Sequence, residues 1–99
     1  MIRERRNLKC TIFGKVQGVG FRAWVRKNAL KKNICGWVIN NENGTVELEA
    51  SGNDFELEDF LYDLKKGSFF SKVKKVEYKY IKFRKLDNFE IVTNWKYIY

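Results

Sequence analysis

Near the middle of the chain, Asn43-Gly44 separates two short alternating runs, Cys35–Ile39 (CGWVI) and Thr45–Ala50 (TVELEA). Asn-Gly tolerates the positive φ angles of a tight hairpin turn, so the two runs pair antiparallel. Each arm leads into the same kind of neighbour. Upstream, Leu8–Phe13 (LKCTIF) alternates at strand period, and Phe21–Lys32 follows as a helix. That helix sets Phe21, Val25, Asn28 or Ala29 and Lys32 along one side, with Trp24 beside them. Asn33 can end it in the left-handed conformation. Downstream, Ser51-Gly52-Asn53 reads as a loop, with Asn53 and Glu56 as a capping pair. Leu57, Phe60, Leu61 and Leu64 recur at i, i+3, i+4 and i+7. Lys65, Lys66 and Gly67 suit the helix exit. Ser68–Ser71 reads as a loop, Val73–Phe83 alternates again, and Phe89–Val92 is a short last strand. Two strand-helix-strand units around a hairpin make the α+β, ferredoxin-like split βαβ plan, βαββαβ plus a C-terminal strand. The expectation is one antiparallel sheet with both helices on one face.

The 99 residues make a single domain, 1–99, with a charged N-terminal segment at 1–7, frayed at its start, and an aromatic tail at 94–99. In that tail, Tyr97 and Tyr99 are expected to cover a strand edge. Twenty Lys and Arg against twelve Asp and Glu give a net charge of +8. Such charge favours anionic partners without choosing among RNA, acidic proteins and phosphorylated metabolites, and much of it serves solubility. No apolar run reaches membrane-span length, and no leader opens the chain, so a cytoplasmic location without membrane attachment is expected.

Histidine is absent. Ser-His-Asp and Cys-His activation are therefore excluded, as is a phosphohistidine intermediate. Cys10 and Cys35 alone cannot make a zinc site, and no metal or cofactor is expected. They read as free thiols, with a disulfide open only to an exported protein.

The densest local signal is Gly14–Arg22, GKVQGVGFR, which joins the first strand to the first helix. Glycines let backbone N–H groups turn inward, and a helix start adds unpaired N–H groups and a partial positive charge. Together they form a nest for an anion such as phosphate. Arg22 falls in the first turn, where a cation opposes the helix dipole but can fork two bonds onto phosphate oxygens. Tight packing alone would also account for the glycines. Asn40, at the end of the second strand, reads either as a turn residue or as an amide facing the glycine loop.

GKVQGVGFR, followed by Gly36-Trp37-Val38-Ile39-Asn40 and Asn43-Gly44-Thr45-Val46, resembles the acylphosphatase family over about Leu8 to Thr93. The resemblance implies a small ferredoxin-like enzyme that hydrolyses the carboxyl-phosphate bond of acyl phosphates, metal-free, to a carboxylate and inorganic phosphate. It places the family's phosphate-binding arginine on Arg22 and its water-orienting asparagine on Asn40. The phosphate cradle falls on the backbone of Lys15, Val16, Gln17, Gly18 and Val19. Gln17 can instead bond across the loop, and Lys15 reads as a solvated loop residue rather than as positive potential at the mouth of the site. Asn53 and Ser68 stand where family members often carry proline, and Asn43 where the turn usually has aspartate.

The implied partners are a small acyl phosphate and inorganic phosphate, with no nucleic acid, and a monomer is expected. Two other readings remain open. The same fold carries RNA-binding domains, but here the third strand would offer Thr45, Glu47 and Glu49 to a phosphate-rich ligand. An inactive interaction domain is the other reading, against which Arg22 and Asn40 stand together.

Overall fold

The computed structural model describes residues 4–95. Its elements run β1 (Arg5–Lys15), α1 (Phe21–Lys31), β2 (Cys35–Asn40), β3 (Val46–Asn53), α2 (Asp54–Lys66), β4 (Lys72–Ile81) and β5 (Phe89–Val92). The strands form one sheet in the order β4-β1-β3-β2-β5. This is the ferredoxin-like α+β plan expected from the residue pattern, with one difference. The four main strands pair antiparallel, but β5 lies parallel to β2, so the sheet is mixed. The reason is the chain's path: after β4 it crosses to the opposite edge and meets β2 running the same way, with Phe89 beside Gly36 and Ile91 beside Val38.

Alternation divides the sheet into two faces. Leu8, Cys10 and Ile12 of β1, Val38 of β2 and Val46, Leu48 and Ala50 of β3 face the helices and are buried. Phe21, Val25 and Ala29 of α1 and Leu57, Phe60, Leu61 and Leu64 of α2 close the core over them. The rings of Phe60 and Phe89 meet edge to face at 6.3 Å, which ties α2 to β5. Trp24 packs beside Phe21, and Trp37 is buried under Trp95.

Cys10 and Cys35 are free thiols, the first fully buried and the second partly so. Burial pushes the Cys10 thiol up to about 12. Tyr97 and Tyr99, expected to cover a strand edge, lie outside the described residues.

Helix ends follow local chemistry. Asn53 Oδ1 accepts from the Glu56 amide at 2.8 Å, and Glu56 Oε1 accepts from the Asn53 amide at 2.9 Å, a complete capping box. Asn33, at φ 57°, closes α1: Ile34 N–H donates to the Ala29 carbonyl and Asn33 N–H to that of Leu30. That pairing is a Schellman motif.

Several boundaries shift by one or two residues, and two differ by three. The first strand starts at Arg5 rather than Leu8, with Arg5–Asn7 paired with Ser51–Asn53 of β3. For the same reason Ser51-Gly52-Asn53 is strand rather than loop. Backbone pairing across the sheet overrides the weak strand propensity of both segments.

Candidate active site

The sheet register decides which residues can meet. Lys15 pairs with Lys72, and Asn40 pairs with Val46, whose other partner is Ile12. The ends of β1 and β2 and the start of β4 therefore lie at one end of the sandwich. Asn40 shares the helix-facing side with Val38 and Val46, so its side chain lies on the side of the sheet where α1 begins.

Between β1 and α1 the glycines set the path. A bulge interrupts the β1–β4 pairing between Phe13 and Gly14. Gly14 sits at φ 130°, and a Cβ there would lie 2.0 Å from the Lys72 carbonyl oxygen, so no side chain fits. The chain then turns through Gly18 and Gly20, both at φ 73°, into α1. Gly20 is the N-cap, with no side-chain cap and no acid in the first turn. The first N–H groups of α1 thus lack the side-chain acceptor that Asn53 supplies to α2.

One side chain fixes the loop. Gln17 Nε2 donates to the carbonyls of Asn41 at 2.8 Å and Thr45 at 2.9 Å. Asn41 Nδ2 in turn donates to Thr45 Oγ1 at 3.0 Å and Glu47 Oε1 at 3.1 Å. Asn43 Oδ1 accepts from both the amide and the hydroxyl of Thr45. The hairpin turn and the glycine loop are therefore stapled together.

These elements enclose a cavity of about 210 Å³ lined by Val16, Gln17, Gly18, Gly20, Phe21, Arg22, Ala23, Asn40 and Ile91. Arg22 is the one ionisable side chain in that lining. No hydrogen bond or ion pair holds it among the described residues. Asn40 Oδ1 is buried and has no hydrogen-bond partner among the described residues. A buried amide oxygen without a donor costs roughly 1–3 kcal/mol. A wider hollow of about 300 Å³ lies on the open sheet face, but Lys9 and Lys79 there face Glu47 and Glu77, so its charges cancel.

Arg22, Asn40, Val16, Gln17 and Gly18 are thus brought together. Lys15, exposed at the strand end, and Val19, packed on the core, fall outside the lining. Val16 lines the cavity although the residue is buried in the core. Gly20, Phe21, Ala23 and Ile91 were not marked by the sequence. The first three follow from the helix start itself. Ile91 had no local signal, because its place depends on β5 lying parallel to β2.

Among the described residues, no group of three or more Cys, Asp or Glu could hold a metal ion. No helix there is long and apolar enough to cross a membrane.

A family model for acylphosphatase matches residues 8–91. An acylphosphatase of Geobacillus kaustophilus is 52% identical over 60 residues, which are 61% of this chain and 64% of that protein. The aligned segment thus spans just under two thirds of that relative's length. An acylphosphatase of Bacillus licheniformis is 47% identical over 77 residues, 78% of this chain and 83% of that one. The crystal structure of acylphosphatase from Bacillus subtilis superposes with a TM-score of 0.85 at 36% identity, covering 88% of this chain and 98% of that one. Sequence and fold agree over the same region, the one that contains the cavity: the chain belongs to the acylphosphatase family.

Proposed function

We propose that this chain hydrolyses the carboxyl-phosphate bond of small acyl phosphates, with Arg22 and the loop amides binding the phosphoryl group and Asn40 orienting the attacking water. The observation that carries the reading is the cavity itself, which brings together Asn40, an Arg22 unpaired among the described residues and the uncapped start of α1. The guanidinium and the amides of the loop segment that lines the cavity, Val16 to Gly18, together with the start of α1, neutralise the phosphoryl oxygens. A water donating to Asn40 Oδ1 is aimed at phosphorus.

The water oxygen forms a bond to phosphorus as the bond from phosphorus to the acyl oxygen breaks. The carboxylate leaves with the electron pair, and the water proton passes to a phosphoryl oxygen of the substrate. A carboxylate leaving group needs no general acid, and no histidine exists to supply one. Phosphoryl transfer of this kind is accelerated chiefly by positioning and electrostatic stabilisation, which arginine, amides and an oriented water provide. On this reading neither metal nor cofactor takes part.

The RNA-binding alternative lacks a platform. Glu49 is not offered to solvent but buried, held by Arg84 at 2.9 Å and by Asn7 Nδ2 at 2.6 Å. Trp37 is buried and Lys75 lies over the Phe13 ring.

Hydrolysis of benzoyl phosphate, followed in the ultraviolet with excess chelator, tests the proposal on wild type beside Arg22→Ala. Turnover that survives chelation and disappears in the variant is the expected result. A folded wild type without turnover, or turnover abolished by the chelator, would overturn it.

A further inference from the structure

The sequence 65–75 reads KKGSFFSKVKK, five lysines and no acid around two adjacent phenylalanines. The structure puts those phenylalanines on the loop between α2 and β4, where Phe69 is 93% and Phe70 71% exposed. Their rings meet each other edge to face at 5.0 Å. Single exposed apolar residues are ordinary, but two bulky neighbours at a loop tip are not, since loop tips are commonly polar.

The lysines flank this tip from both elements. Lys65 and Lys66 end α2, and their ammonium groups lie over the Tyr78 and Tyr62 rings at 5.0 and 5.5 Å. Lys65, Lys74 and Lys75 line a hollow of about 230 Å³ together with Val73 and Val76, with room for a phosphodiester headgroup; Lys75 also pairs with Glu77 at 3.3 Å.

We propose that this tip docks the protein on the surface of an anionic phospholipid membrane, the two phenyl rings entering the headgroup boundary and the lysines meeting lipid phosphates. Apolar insertion ringed by cations is the chemistry such an interface selects. A second copy of the chain does not fit, because joining two tips would bring two lysine clusters together. Nucleic acid fits less well, because the rings are turned against each other on a loop rather than spread on a sheet for bases to stack on.

The geometry has a consequence. Lys72 is the register partner of Lys15, so the tip lies at the same end of the sandwich as the glycine loop. A docked protein therefore holds its cavity near the lipid surface.

Co-sedimentation with vesicles of equal phosphatidylglycerol and phosphatidylcholine, beside phosphatidylcholine alone, tests this at 0.15 M salt. Binding to the anionic vesicles and none to the neutral ones is expected. Joint Phe69→Ser and Phe70→Ser substitution should weaken binding by more than about tenfold, from the lost apolar insertion. Benzoyl phosphate turnover of that variant, unchanged from wild type, shows that it folds. Lys72→Gln and Lys74→Gln should each weaken binding about fivefold. Absence of binding to anionic vesicles overturns the proposal. So does a phenylalanine variant that binds like wild type, which would leave charge alone. Displacement from the vesicles by an RNA oligomer bound more tightly would assign the lysines to nucleic acid instead.

Discussion

Helix α2 starts on Asn53, whose capping box with Glu56 is complete, and carries Asp54 and Glu56 in its first turn; helix α1 starts on Gly20, with no side-chain cap, no acid and Arg22 in its first turn. The two helices are of similar length and pack on the same face of one sheet. One N-terminus is finished by the chain itself. The other is left with free N–H groups and an unpaired guanidinium above a cavity. The difference leaves the start of α1 with the partial positive charge and the guanidinium that suit an anion, which is where the proposed function puts the phosphoryl group.

The largest expected effect comes from removing the guanidinium. Arg22→Ala should lower kcat/KM for benzoyl phosphate by about 10³-fold or more, as losing an arginine from phosphoryl transfer does. Arg22→Lys should recover little, because a point charge does not replace a planar fork. Thermal unfolding should show no loss of stability in either variant, since a cation at a helix N-terminus opposes the dipole. Inorganic phosphate should raise the melting temperature of wild type and not of Arg22→Ala, by the linkage of binding to folding. Substantial turnover in Arg22→Lys would contradict the fork.

Asn40→Ala should come next, lowering kcat by about 10²-fold or more with little change in KM, as for loss of one preorganised polar group in the transition state. Stability should hold or rise, because the substitution removes a buried acceptor that has no partner among the described residues. A variant that mainly raised KM would make Asn40 a binding residue rather than a water-orienting one.

What was legible in the sequence depends on the range of the interaction responsible. The Asn53–Glu56 capping box, the Asn33 terminator and the Leu57–Leu64 stripe rest on residues a few positions apart, and each formed where its pattern placed it. The strand tips did not follow from pattern. Arg5–Asn7 and Ser51–Asn53 are strand because they pair with each other across the chain. The parallel docking of β5, and with it Ile91 in the cavity wall, depends on a crossover that no local residue announces. Glu49 stood at a solvent-facing strand position by alternation, yet Arg84 and Asn7 bury it. The glycine loop carried its own geometry, but its staple does not show in spacing. Gln17 and its acceptors Asn41 and Thr45 are more than twenty residues apart in the chain.

The finished helix end offers the reverse experiment. Asn53→Ala should lower stability by about 1 kcal/mol through loss of the cap. For a domain of this size that is a fall of about 4–8 °C in melting temperature. Activity at 25 °C should be unchanged, because Asn53 lies at the opposite end of β3 from the Asn40–Val46 pairing. Chemical denaturation beside the benzoyl phosphate assay separates the two. A loss of turnover without loss of stability would join the two helix ends, against the comparison.

The smallest effect is the most discriminating, because it gives α1 what α2 already has. Ala23 is the third residue of α1, exposed, and part of the cavity lining. A glutamate at that position interacts favourably with the helix dipole, so Ala23→Glu should raise stability by about 0.3–1 kcal/mol, less the small propensity advantage of alanine. The same carboxylate stands beside the place assigned to the phosphoryl group. It opposes the bound substrate and the transition state alike, so KM should rise severalfold with a smaller change in kcat. Both effects are electrostatic and partly exposed to solvent, and both should shrink as salt rises and the Debye length falls from about 10 Å at 0.1 M to 3 Å at 1 M. A variant more stable than wild type and weaker in substrate binding shows that one helix end cannot serve its own chain and an anion equally. A more stable variant with unchanged KM would mean that the phosphoryl group does not sit at the start of α1.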